Sequence, residues 1–286
     1  MKNIFINTIR FLVNSNIWIA LATVCFYELS LLQIGLNVKL NSTAFFLFFS
    51  TLFVYNLFRI LGTDSNHKHW YIKNHQYTKI FIFLSLIASL ISFYFIDKSF
   101  LSIILLAGVL TILYVGPFAI NTKSSFNLRK FWLFKSITVA VVWVLLTTIL
   151  PLLENNVTLI DLFYLSIEKF FFILGITIPY DIKDMVADKS DGLKTLVMKF
   201  GINKTKLISN GFLFVGLSAA ILINGKFLIP AILVYFTAMY LNLKLDERKD
   251  ELWYTFLVDG TIILYFLAIY FVICLNQLKR FYFSSF

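Results

Sequence analysis

Apolar stretches of bilayer-spanning or nearly spanning length recur from one end of this 286-residue chain to the other. A helix needs about 20 apolar residues to cross the ~30 Å hydrocarbon layer. Inside lipid every backbone polar group must be satisfied within the chain, which leaves helices or a closed barrel. Nine spans are predicted, at 16–35, 43–62, 79–96, 100–118, 132–152, 159–179, 206–224, 227–243 and 253–275. Two pairs among them, 79–96/100–118 and 206–224/227–243, read as tight hairpins turning at Asp97-Lys98-Ser99 and Asn224-Gly225-Lys226. Hydrophobic residues make up 59% of the chain and charged ones 14%, with mean hydropathy +0.83. A soluble domain is nearer half apolar and a quarter charged. The expected fold is an all-α membrane protein, residues 1–286 forming one polytopic domain. Lys2 and Arg10 precede the first span without a small-residue cleavage site, so this end reads as a retained helix.

Charge orients the bundle. Of 25 Lys and Arg residues, 18 fall in the N-terminus, in the connections after spans 2, 4, 6 and 8, or in the first turn of the span that follows one of them. Basic residues collect on the cytoplasmic side, so the expected protein is multi-pass, with its N-terminus in the cytoplasm, as in a bacterial inner membrane. Lys279 and Arg280 run against that pattern. The long connections, about 63–78, 119–131 and 180–205, all lie on the basic face and form a cap. The net charge of +10 is then loop bias and attraction to anionic lipid, not a nucleic-acid surface. Cys25 and Cys274 sit in apolar runs without metal-ligand spacing and read as small hydrophobes.

The cap carries the most informative polar pattern. Asp181, Asp184 and Asp188 stand at i, i+3 and i+7, one face of a helix over two turns, just after an apolar run and before Asp191-Gly192. Like charges so arranged repel, and more strongly near a low-dielectric boundary. A cation should therefore sit among them. Hard carboxylate oxygens suit Mg²⁺, which commonly bridges one or two carboxylates to substrate phosphates. The other reading is a solvated acidic loop with Lys183, Lys189 and Lys194 as counter-ions. Spacing alone leaves both open.

Span count and motif together resemble the UbiA-type intramembrane prenyltransferase superfamily, along essentially the whole chain. That family's second Asp-rich motif, D-x-x-D-x-x-x-D followed by G-x-x-T-L, matches Asp181, Asp184 and Asp188 with Gly192, Thr195 and Leu196. Its first motif, N-D-x-x-D-x-x-x-D at the end of the second helix, is matched at its outer positions by Asn56 and Asp64. Leu57 and Ile60 stand where that motif has carboxylates. Arg59 arises in the same segment, and a guanidinium there would contact diphosphate oxygens in bidentate fashion. In the connection after span 4, Tyr114 and Pro117 followed by Arg129, Lys130 and Lys135 resemble the family's Tyr and its diphosphate-binding basic residues. Singly, Arg129 and Lys130 are equally read as charge flanking a span.

The resemblance implies nine helices around a central cavity, capped by Mg²⁺ on Asp64, Asp181, Asp184 and Asp188, the catalytic acids. Asn56, Arg59, Arg129, Lys130, Lys135 and Lys194 would bind the diphosphate. The implied reaction moves a prenyl group from a prenyl diphosphate to a lipophilic, aromatic acceptor, as in quinone biosynthesis. The alternative is a catalytically divergent lipid- or isoprenoid-binding relative, kept open by Leu57 and Ile60. A transporter ranks third, because no paired, helix-broken repeats stand out.

Ionisable residues inside spans are functional candidates, since lipid makes them costly. Glu28, Glu168, Lys169 and Asp259 qualify. Glu168 precedes Asp181 by 13 residues, about 20 Å along a helix, too far for the metal but suited to a cavity wall. Tyr114 and Glu168 are thus the acceptor and cavity candidates. For Glu168 and Lys169 the favoured reading is a buried interhelix ion pair, with Glu28 or Asp259 as a partner. His67, His69 and His75 lack zinc spacing and read as loop residues. Phe170–Phe172 are candidates for an isoprenoid wall.

Overall fold

A computed structural model describes residues 2–60, 68–119, 134–190, 194–223, 225–246, 248–250 and 252–283. Every regular element among them is helical. In chain order these are α1 (Lys2–Asn14), α2 (Ile17–Gln33), α3 (Ser42–Ile60), α4 (Lys68–Tyr94), α5 (Leu101–Ala119), α6 (Phe134–Val144), α7 (Leu150–Glu154), α8 (Leu159–Thr177), α9 (Tyr180–Lys183), α10 (Met185–Ser190), α11 (Leu196–Ile223), α12 (Leu228–Lys244) and α13 (Gly260–Phe283). Wide π-helical turns join α6 to α7 at Leu145–Ile149 and precede α13 at Leu252–Val258.

Among the described residues, six helical stretches are long and apolar enough to cross a membrane, or seven if the bent pair α1–α2 is one span. The chain is an integral, multi-pass membrane protein. Two further predicted spans fall on the apolar helix α5, Leu101–Ala119, and on α8, Leu159–Thr177. In α8, the charges of Asp161, Glu168 and Lys169 interrupt the apolar run.

Local chemistry explains the breaks. α1 meets α2 at 73°, across Asn16, whose φ of 62° is left-handed. Asparagine tolerates that conformation better than most residues with a Cβ. The hairpin between α4 and α5 turns where expected: Asp97 caps a short turn by accepting the Ser99 N–H at 2.9 Å. Thr158 caps α8 by accepting the Asp161 N–H at 3.2 Å. Gly201, at φ 76° and ψ 167°, breaks α11 one turn in, so the first turn belongs to the cap and the rest to the span.

The core sits around α8. A Cβ on Gly175 would come within 2.6 Å of Leu213, and one on Gly216 within 3.0 Å of the Tyr235 hydroxyl. Small residues here let α8, α11 and α12 approach closely, as membrane helices require when lipid offers no hydrophobic drive between them. Asn242 of α12 donates to the Gly175 carbonyl at 3.1 Å and to Ser209 Oγ at 2.7 Å, tying three helices together. Phe26, Phe172, Tyr235 and Tyr265 fill the centre, with ring centroids 5.0–5.9 Å apart.

The intramembrane charges are each accommodated, though not as the expected ion pairs. Fully buried Glu168 accepts from Tyr265 Oη at 2.9 Å, Gln33 Nε2 at 3.1 Å and Tyr235 Oη at 3.3 Å. Three neutral donors can satisfy a carboxylate without a second buried charge. Lys169, also fully buried, makes no hydrogen bond through Nζ among the described residues; it lies 4.3 Å from the Phe26 ring centroid and 5.2 Å from that of Tyr265. Glu28 accepts the Lys39 backbone N–H at 3.0 Å. Asp259 accepts the Tyr180 hydroxyl at 2.7 Å.

Candidate active site

The three aspartates meet on one amine. Pro179 follows α8 and opens α9, which places Asp181 one residue into a new helix. Asp184 ends α9 with φ −85° and ψ 0°, and the Asp188 N–H donates to the Asp184 carbonyl at 2.8 Å as α10 begins. The predicted continuous helix face is therefore bent at Asp184, and the carboxylates still converge. Lys135, in the first turn of α6, sets its Nζ 2.8 Å from Asp188 Oδ2, 3.1 Å from Asp181 Oδ1 and 3.5 Å from Asp184 Oδ2.

The cation expected among the acids is thus supplied by Lys135, more than forty residues upstream, and not by Lys183, Lys189 or Lys194. Lys183 lies over the rings of Tyr180 and Tyr254 at 5.6 and 6.0 Å. Lys189 and Lys194 are exposed. The Asp181 and Asp188 side chains are 1% and 3% exposed, against 23% for Asp184, so the cluster opens on the Asp184 side. Burial, opposed by Lys135 and reinforced by Asp188 and Asp184, leaves the Asp181 carboxyl raised to about 6.

Beside this cluster runs an apolar cavity of about 410 Å³, walled by α3, α5 and α6 with its π-turn. That size lies within the range of small-molecule pockets. Tyr55, Tyr114 and Thr138 line one end of it, Phe46, Ile104 and Leu146 the other. Thr138 and Val139 lie one turn from Lys135 on α6, and Tyr114 interacts electrostatically with Lys135. The polar cluster therefore stands at the head of the apolar cavity.

No known family profile matches the chain, and no curated protein sequence matches it. Solved structures do match. A UbiA homologue from Archaeoglobus fulgidus, bound to GPP and Mg²⁺, superposes with a TM-score of 0.63 at 14% identity, covering 92% of this chain and 99% of that one. A second structure of a UbiA homologue from that organism gives 0.58 at 15% identity, covering 92% and 99%. A digeranylgeranylglyceryl phosphate synthase gives 0.51 at 17% identity, covering 91% and 95%. This chain has the UbiA fold.

Within the UbiA fold the remaining candidates fall in different places. Asn56 and Arg59 are buried at the α1–α2 junction. Asn56 Nδ2 donates to the Leu52 and Ser15 carbonyls at 2.8 and 3.1 Å, and Asn56 Oδ1 accepts from Asn16 Nδ2 at 3.2 Å. Arg59 donates to the Asn14 carbonyl and, at 3.0 Å, to Asn16 Oδ1. Tyr114 lines the cavity, whereas Glu168 is locked in the α8 core. Asp64, Arg129, Lys130 and His67 lie outside the described residues.

Sequence reasoning missed two features. Tyr180, next to Asp181, bonds Asp259 across to the start of α13. Asn16 joins Asn56 to Arg59. Neither pairing has a local signal, since each is made by packing of distant helices.

The donor set fits Mg²⁺. The acids offer hard anionic oxygens, and Asp181 Oδ2 is buried without a hydrogen-bond partner. Among the described residues no three His, Cys, Asp or Glu side chains are spaced as a ready metal cage, because the acids are gathered on Lys135. When all are ionised, three carboxylates against one ammonium leave an excess of two negative charges. An anionic ligand would need accompanying cations to enter.

Proposed function

We propose that this chain is an integral-membrane, Mg²⁺-dependent prenyltransferase of the UbiA superfamily. It moves a prenyl group from a prenyl diphosphate to a lipophilic, aromatic acceptor of the quinone-biosynthesis type. One observation carries the reading: three carboxylates on Lys135 stand at the head of an apolar cavity. A charged diphosphate head on a long apolar tail matches that junction. The fold of a homologue bound to GPP and Mg²⁺ supports it. The basic loops support a single domain, residues 1–286, in a bacterial inner membrane with its N-terminus and its cap loops in the cytoplasm.

Mg²⁺, when bound, supplies Lewis-acid neutralisation of the departing diphosphate. Asp181, Asp184 and Asp188, with Asp64 from the first motif, would hold the cation. Lys135 would donate to diphosphate oxygens, and Arg129, Lys130 and Lys194 would add positive charge around the leaving group. Asn56 and Arg59 brace the rim through the α1–α2 junction. Tyr114 faces the allylic end of the chain. The apolar walls keep water from the allylic cation until the acceptor ring attacks it and releases a proton.

Leu57 and Ile60, in place of the carboxylates usual in the first motif, favour a second reading, an isoprenoid-binding relative without turnover. Pyrophosphate release from a prenyl diphosphate by the purified protein separates the two. The enzyme reading expects Mg²⁺-dependent release that Asp184→Ala reduces by about 100-fold or more in a folded protein. Unchanged turnover in that variant overturns the assignment.

A further inference from the structure

The cavity has a definite floor. Its residues on α5 run from Tyr114 to Ile104, ten residues and about 15 Å of helix. At the far end Ile104 packs with Ile96 and Leu150, and Phe46 and Leu146 lean on that cluster. The Phe46 ring is itself backed by Phe93 at 5.7 Å. The floor is thus a supported apolar plug.

Midway down the wall the side chains are small. Ser50 and Thr51 on α3 face Ala107 and Gly108 on α5. A Cβ built on Gly108 meets nothing within 4 Å. Gly108 lies six residues below Tyr114 and four above Ile104, about 9 Å from the head and about 6 Å from the floor. Gly108 is exposed at the cavity wall, and a larger residue there would narrow the cavity midway.

From this geometry we propose that Gly108 and Phe46 set the length of the prenyl chain, and that the preferred substrate is a diphosphate with a chain of fifteen carbons. The inference rests on the prenyltransferase reading and deepens it. An isoprene unit adds four chain bonds of about 1.5 Å each, or roughly 5 Å when extended as a zigzag. Three units fill about 15 Å, and a fourth would have to pass the Phe46–Leu146 plug. Each unit that enters removes apolar surface from water, so affinity rises with length until the floor is met.

The test is Mg²⁺-dependent displacement of labelled farnesyl diphosphate from the purified full-length protein by dimethylallyl, geranyl, farnesyl and geranylgeranyl diphosphates. Wild type should gain at least about threefold in affinity per unit up to fifteen carbons, and nothing at twenty. Gly108→Leu replaces a helix-weakening glycine with a strong helix former, and its plateau should move to ten carbons. Phe46→Ala opens the floor, and its plateau should move to twenty. An identical plateau in all three proteins, or affinity still rising at twenty carbons in wild type, overturns the ruler while leaving the prenyltransferase reading intact. Absence of binding by every diphosphate in wild type overturns both.

Discussion

Lys135 Nζ lies 2.8 Å from Asp188 Oδ2, a largely buried ion pair made across 53 residues. The same amine reaches Asp181 and Asp184. The site is therefore held together by a cation from the chain itself. A buried pair broken at one partner leaves the other charge uncompensated, at a cost of about 3–5 kcal/mol. Lys135→Gln should lower the thermal midpoint in EDTA markedly, and Mg²⁺ should restore more of it than it adds to wild type. Melting curves with and without Mg²⁺ check this. Equal midpoints for variant and wild type in EDTA would contradict it.

The α1–α2 junction gives an independent prediction. Asn16 accepts from Arg59 and donates to Asn56. Asn16→Ala loses both bonds and strains a left-handed position, so it should destabilise by about 1–3 kcal/mol. Arg59→Ala should cost a similar amount. If the Arg59 role is to brace this junction, both variants weaken stability alike and change diphosphate affinity alike. Loss of affinity in Arg59→Ala alone, with stability retained, would assign Arg59 to the diphosphate.

Glu168 and Lys169 are adjacent in sequence and opposite in consequence. Glu168→Ala removes the carboxylate that Tyr235, Tyr265 and Gln33 share, and should destabilise by roughly 2–3 kcal/mol. Lys169→Met removes a buried ammonium without a hydrogen bond and keeps the volume, so it should be neutral or stabilising. Denaturation in detergent, comparing both variants with wild type, checks the contrast.

Close packing of α8 on α11 is tested at Gly175. An added Cβ meets Leu213 Cγ at 2.6 Å and the Ser209 carbonyl at 3.1 Å. Gly175→Ala should therefore cost about 1–3 kcal/mol despite alanine's better helix propensity. Thermal melting would show it. No loss would mean that the Leu213 side chain swings aside freely.

The all-helical, apolar build was legible because lipid demands long apolar helices, and the clustering of three acids was legible because they keep a fixed spacing. What joins them was not. Lys135 reads as one more basic residue flanking a span, and only the packing of α6 beside α9 and α10 makes it the acids' partner. The bend at Asp184 was also hidden, since no proline or glycine marks it. Glu168 announced itself as costly in lipid, but its donors are tyrosines and a glutamine on three other helices. Such residues carry no sequence pattern that separates them from other core side chains.

The central claim is that Asp181, Asp184 and Asp188 assemble a cation-dependent site for a prenyl diphosphate at the head of the cavity. Pyrophosphate release from farnesyl diphosphate by purified protein tests it most directly, in Mg²⁺ and in EDTA, for wild type and Asp188→Asn. The predicted result is release in Mg²⁺ that disappears in EDTA and falls by about 100-fold or more in the variant. Release that survives EDTA or the Asp188→Asn change, or no release by wild type in Mg²⁺, would contradict the account.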